Sequence, residues 1–292
     1  MLNDEPALRV DTVLFSSDVV RIGTFRCGTS DPLFVDSGPV QNHISVFPRT
    51  CVRLHHDRGE NFISGPNLVT LYNRGTRFRR TPVNGESDVC DWFAVSPDVL
   101  VDVLSASEPA VVERPDHPFA RRCINSSSGL YLRQRRLVSA LNSGAARSLS
   151  VEEEAVAILR ELFAPHSWTE NVPRSSRERV ERVKELLSDV SSVPLSLREL
   201  ASAVDLSVFH LCRIFRRHTG YSIHSFREEV SLRQSLERVE QGEDLLSLAT
   251  ELQYSSHSHF TSRFRKMFGA APSKLRAELA RTGVSESRGA RR

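Results

Sequence analysis

The chain has 292 residues, enough for two domains, and a formal net charge of only +3, which excludes a uniformly basic coat protein. Its five cysteines are odd in number and form no Cys-x-x-Cys pair, which argues against a disulfide frame or a zinc finger and for reduced thiols in a cytoplasm. No long apolar run marks a membrane span, and no signal peptide is expected.

The N-terminal half reads as strands. Short segments rich in β-branched and aromatic residues lie at Asn42–Phe47, Cys51–His56, Asn67–Tyr72, Thr76–Thr81 and Val89–Val95. Turn signals separate them, among them Gly38-Pro39, Phe47-Pro48, Asp57-Arg58-Gly59, Gly65-Pro66, Asn73-Arg74-Gly75 and Asn84-Gly85. This spacing predicts a small antiparallel barrel or sandwich. After Pro118 the pattern turns helical, at Leu130–Leu141 and Val151–Phe163. In the second helix Ala155, Ile158, Leu159 and Leu162 share one apolar face. That face either covers the barrel or joins two copies of the chain through Val151–Phe163. Ala164–Ser176, with two prolines, reads as a linker.

Few residues of this half suggest chemistry. His55-His56 with Glu60 is a weak metal motif, because strand alternation puts adjacent histidines on opposite faces. Cys90 lies beside Asp91 with no basic cluster to lower its pKa, so it reads as a small buried hydrophobe. His43, Arg53, His55 and Tyr72 are candidates to line a ligand cavity, with structural roles as the competing reading.

The C-terminal part holds one pattern twice, in Leu197–Gly220 and in Leu245–Gly269. Ser196 and Glu199 form a capping box, and Leu197, Leu200, Ala201 and Val204 make a buried stripe. Asp205-Leu206 breaks the first helix and Ser207 caps the next, whose inner face is Leu211, Ile214 and Phe215. In the second copy Leu245, Leu248, Ala249 and Leu252 line the first helix, Ser255 or Ser256 is the cap, and Phe260 and Phe264 face inward. Gly220 and Gly269 end the two second helices. A third helix, Ser222–Gln241, joins the copies, with Phe226, Val230, Leu232, Ser235, Leu236 and Val239 on its inner side. Its ~30 Å length approaches the ~34–36 Å between successive major-groove faces. Two helix-turn-helix units on one chain point to double-stranded DNA.

The candidate DNA-facing residues are Val208, Phe209, Cys212, Arg213, Arg216 and Arg217 in the first unit. In the second they are His257, Ser258, Thr261, Ser262, Arg265 and Lys266. Val208 and Phe209 suit thymine methyls, although Phe209 has packing against the first helix as its competing role. Arg213 suits guanine or phosphate, and His257 and Ser258 lie where base edges are met. Arg216, Arg217, Arg265 and Lys266 suit phosphates.

These residues carry a family resemblance. Leu200-Ala201, Leu206-Ser207, Leu211-x-Arg213-x-Phe215, His218-Thr219-Gly220 and Ser222 resemble the DNA-binding domain of AraC/XylS-type bacterial transcription regulators. So do Leu248-Ala249, Tyr254-Ser255, His259-Phe260 and Phe264-Arg265-Lys266-x-Phe268-Gly269-x-x-Pro272-Ser273. The family usually has Gly at Asp205 and Gln253, and often Arg at Ser262, where this chain has Arg263 one place later. The resemblance implies an α+β chain. Residues 1–165 would be a cupin-like regulatory or dimerisation domain, 166–176 a linker, 177–281 the DNA-binding domain and 282–292 a basic tail. It also implies an activator in the cytoplasm, associated with the nucleoid, that needs no cofactor and is not an enzyme. Its partners would be promoter DNA, RNA polymerase, a small-molecule effector and a second copy of the chain. A metallo-cupin enzyme fused to a DNA-binding domain, or a regulator without a ligand, are the alternatives.

Overall fold

The computed structural model describes residues 11–36, 39–56, 61–83, 85–144, 146–164, 173–189 and 195–281. The Asp57-Arg58-Gly59 turn, Glu60, Gly38, Asn84, most of the expected linker and the basic tail lie outside the described residues.

The fold is α+β. The strands among the described residues are β1 (Asp11–Ser16), β2 (Val20–Cys27), β3 (Ile44–Pro48), β4 (Val52–His56), β5 (Phe62–Ser64), β6 (Leu68–Tyr72), β7 (Phe78–Pro82), β8 (Asp88–Val95) and β9 (Cys123–Asn125). A short helix α1 (Pro32–Val35) follows β2, and α2 (Pro97–Ser105) follows β8. The strands form a six-stranded sheet, β1-β2-β8-β3-β6-β9, and a three-stranded sheet, β5-β4-β7. All of their pairings are antiparallel.

Away from its β1 edge the six-stranded sheet is covered on both faces, and β6 is buried throughout. Phe25, Ile44, Val46, Leu68 and Tyr72 meet Val52, Leu54 and Phe78 of the smaller sheet. The alternate residues Ile22, Phe47, Val69, Leu71 and Phe93 pack under α2, α3 (Ser128–Asn142) and α4 (Ser148–Leu162). The apolar face of α4 is used within the chain. Ala155, Ile158, Leu159 and Leu162 are buried with Phe119, Leu130 and Leu137, so this face is not available to join two copies.

The C-terminal part comprises α5 (Arg174–Ser188), α6 (Leu197–Ser202), α7 (Val208–Thr219), α8 (Ile223–Glu240), α9 (Leu245–Glu251), α10 (His257–Phe268) and α11 (Pro272–Arg281). Helix α5 begins inside the stretch expected to be linker. Its core centres on Phe215, Phe226, Phe260 and Phe264, and Cys51, Ile63, Val83, Tyr131 and Leu132 of the N-terminal half join the same cluster. The two halves therefore share buried apolar surface.

Candidate nucleic-acid interface

Each reading helix is built by local chemistry. The Ser196 hydroxyl accepts from the Glu199 N–H, and Glu199 accepts from the Ser196 N–H at 2.7 Å, so α6 starts on a complete capping box. Those bonds hold the Glu199 carboxyl below its usual range. Ser207 caps α7 through the His210 N–H, and Gly220 ends it at φ 78°. Ser256, rather than Ser255, caps α10 through the His259 N–H, and Gly269 ends it at φ 74°. Asp205 and Gln253, where the family pattern has Gly, sit at φ 52° and 60°. The turn thus keeps its left-handed residue in both units without the glycine.

The outward faces differ from an even spread of the candidate residues. On α7, Phe209, Arg213 and Arg216 are exposed at i, i+4 and i+7, and Phe209 is 77% accessible. It does not pack on α6. Val208 and Cys212 lie half-buried against the core instead. Arg217 is exposed at the end of α7, in a cleft of about 490 Å³ shared with Asn61, Arg121 and Asn125 of the N-terminal half.

On α10, His257, Ser258, Ser262, Arg265 and Lys266 are exposed. Thr261 is half-buried and its hydroxyl is enclosed without a hydrogen-bond partner, so it does not face outward as expected. Arg263 is ion-paired to Glu228 of α8 through both nitrogens. It ties the reading helix to its neighbour, and Ser262 is left on the outer face.

In the N-terminal half the structure does not bring the four ligand candidates together. A cavity of about 490 Å³ lies between the sheets, lined by Phe25, Tyr72, Phe78, Arg80, Asp88 and Trp92 among others. Tyr72 is there. His43 accepts from the Arg74 N–H on the surface, Arg53 pairs with Glu185 of α5 at 2.5 Å, and His55 bonds the Thr81 hydroxyl at 2.9 Å. His55 and His56 do point apart, since the His56 ring stacks on Phe62. In the cavity wall the Arg80 guanidinium lies 4.5 Å from the Phe25 ring centre and pairs with buried Asp88 at 2.6 Å. Burial pushes the Cys90 thiol well above its usual range, which disfavours the thiolate. Sequence reasoning missed the lining residues Phe25, Phe78, Arg80, Asp88 and Trp92, whose common signal is alternation along strands.

Two serine-capped helices with exposed polar and basic faces, set on one core at either end of α8, define a double helix-turn-helix domain. Residues 200–278 match the family model described as "Helix-turn-helix domain". The chain is 28% identical over 125 residues to the Msm operon regulatory protein of Streptococcus mutans, covering 42% of this chain and 45% of that one. It is 27% identical over 150 residues to the transcriptional activator RhaS of Pectobacterium atrosepticum, covering 49% and 54%. It is 28% identical over 100 residues to the multiple antibiotic resistance protein MarA of Escherichia coli, covering 33% and 77%. The chain thus spans about half the length of the Msm and RhaS proteins. Among solved structures, ToxT from Vibrio cholerae aligns over 89% of this chain and 99% of its own, at 12% identity and a TM-score of 0.35. Over this C-terminal stretch the chain is similar to the helix-turn-helix domains of AraC-type transcription regulators.

Proposed function

We propose that the chain is a sequence-specific transcription activator that sets α7 and α10 into successive major grooves of one duplex. The observation that carries this reading is the pair of exposed stripes: Phe209, Arg213 and Arg216 on α7, and His257, Ser258, Ser262, Arg265 and Lys266 on α10. Phe209, exposed in the first turn of α7, suits apolar contact with a thymine methyl. Arg213 reads guanine, and Arg216, Arg265 and Lys266 hold phosphates. Activation is the reading favoured by likeness to RhaS, with RNA polymerase as the second partner.

Residues 1–165 form the regulatory domain and 177–281 the DNA-binding domain. The cavity between the sheets, lined mostly by apolar and aromatic residues with the Arg80–Asp88 pair and polar residues such as Asp11, Arg21 and Asn42, suits a small effector. An effector acts only if it favours one arrangement of the halves. No helix of the described residues is long and apolar enough to cross a membrane. No catalysis is assigned, and among the described residues no cluster of His, Cys, Asp and Glu would hold a metal ion.

The test is selection of sites from random duplex DNA with the full-length protein at physiological salt. Two half-sites about one helical turn apart are expected. Binding without sequence enrichment, lost in moderate salt, would overturn the reading.

A further inference from the structure

Helix α8 is not only the connector between the two units. One stripe of it, Glu229, Arg233, Glu237 and Glu240, at steps of four, four and three residues, turns away from the shared core and into the N-terminal half. Arg233 is fully buried, donates to the Pro66 and Ser126 carbonyls at 2.9 Å each, and lies 5.4 Å from the Tyr131 ring centre. Glu237 accepts from Arg26, Arg49 and Arg135 at 2.9, 3.0 and 3.0 Å. Glu240 also accepts from Arg135.

The same arginines are fastened from behind. Arg49 grips Asp91 of β8 with two bonds, of 3.0 and 2.6 Å, and Gln134 donates to Asp91 at 2.8 Å. Arg135, 2% accessible, reaches Asp91 at 3.4 Å. Asp91 lies on the second strand in from β1 in the six-stranded sheet, so the far end of α8 is anchored to a rigid layer.

The N-terminal half also holds each unit separately. At the first, Glu181 of α5 accepts from the Ile63 N–H at 2.7 Å. At the second, Ser139 donates to the Leu279 carbonyl at 3.0 Å and Arg136 pairs with Glu278 of α11 at 2.6 Å. The helices that flank the two units, α5 and α11, and the strut between the units are therefore braced against one body. Charge-assisted bonds of this kind are directional, and breaking one side of a buried set leaves a charge uncompensated.

We propose that Arg49, Asp91 and Arg135 are positioning residues for DNA recognition. By holding Glu237 and Glu240 they fix the pitch of α7 relative to α10, and with it the number of base pairs the protein accepts between its two half-sites. This rests on the regulator reading above. It makes spacing, unlike base preference, a property written in the N-terminal half.

The experiment measures full-length protein on the selected site and on copies with one or two base pairs inserted or removed between the half-sites. Wild type is expected to prefer the selected spacing by about tenfold or more. Glu237→Gln, and the double variant Arg135→Gln/Glu237→Gln, which removes one charge of each sign, should narrow that ratio several-fold while keeping base preference inside each half-site. Melting curves show whether each variant is folded. Should both fail to fold, Arg26→Ala removes a partner of Glu237 from a side chain that is 40% exposed, and should narrow the ratio in the same direction by less. An unchanged spacing ratio in a folded variant overturns the proposal, as does an equal loss on every spacing, which is what a merely structural role gives. If selection yields no paired half-sites, the regulator reading itself fails and takes this inference with it.

Discussion

Arg213 and Arg216 stand three residues apart on the exposed side of α7 with different expected work. Arg213 lies a turn beyond Phe209 and is proposed to read a base, and Arg216 is nearer the helix end and is proposed to hold a phosphate. Arg213→Ala should cost about 1–3 kcal/mol on the selected site and relax preference at one base pair. Arg216→Ala should weaken selected and random duplexes alike and reduce the salt slope by about one. Equal losses on both duplexes for Arg213→Ala would remove it from base reading. Backbone conformation allows a second test at this scale. Gln253 holds φ 60°, which costs an L-residue about 1–2 kcal/mol, whereas glycine loses about 0.5–1 kcal/mol of chain entropy there. Gln253→Gly should therefore raise stability by up to about 1 kcal/mol in denaturant unfolding. Asp205→Gly should gain less, because Asp tolerates the left-handed region better. A lowered midpoint for Gln253→Gly would mean that the Gln253 side chain itself secures the turn.

Elements differed in how legible they were, and the reason is range. The caps at Ser196, Ser207 and Ser222 act within three residues, so α6, α7 and α8 stand where their sequences place them. Five strands were readable because they are bounded by turn residues. Strands β1 and β2 carry polar Asp11, Thr12, Arg21 and Arg26 between their apolar residues, and β5 and β9 are three residues long, too short for a pattern. Helix α5 was hidden by its arginines and by the prolines before it. The ionic set around α8 was not legible at all, since Arg49 and Glu237 are 188 residues apart in sequence. Of the DNA-facing candidates, Phe209, Arg213, Arg216 and most of α10 lie outward, while Thr261 turns in, because helical phase alone does not resolve half a face. Gly23 gives an element-scale test. A Cβ there would meet the Trp92 ring at 2.4 Å and the Thr12 carbonyl at 2.6 Å, so β1, β2 and β8 close over it only with glycine. Gly23→Ala should destabilise by about 1–3 kcal/mol or more, as overpacking does, and thermal melting measures it. An unchanged melting point would show that the Trp92 ring moves aside freely.

At the scale of the whole molecule, the carboxylates in the joint between the halves, and Asp91 behind it, titrate in opposite senses. Burial opposes ionisation of Glu237, yet Arg49 and Arg26 hold it below the usual carboxylate range. Glu181, more deeply buried, is held low by Lys184 and His218. A carboxyl lowered on folding stabilises the protein above its unfolded value, and that contribution is lost as pH falls through the folded value. Burial instead pushes Asp91 up to about 6 and Glu240 up to about 8, against the attraction of Arg49. A carboxyl raised on folding stabilises most below its unfolded value, and loses that contribution as pH rises through the folded one. Attachment of the halves should thus fail in acid through Glu181 and Glu237, and weaken from about pH 5 to about pH 8 through Asp91 and Glu240. Glu240→Gln removes the largest raised carboxyl while leaving Arg135 paired with Glu237 and Asp91. The variant should melt at a higher temperature than wild type near pH 8 and no higher near about pH 5, giving a flatter profile between them. A variant less stable than wild type near about pH 8 would mean that Arg135 keeps Glu240 ionised, so that the pair strengthens rather than strains the joint.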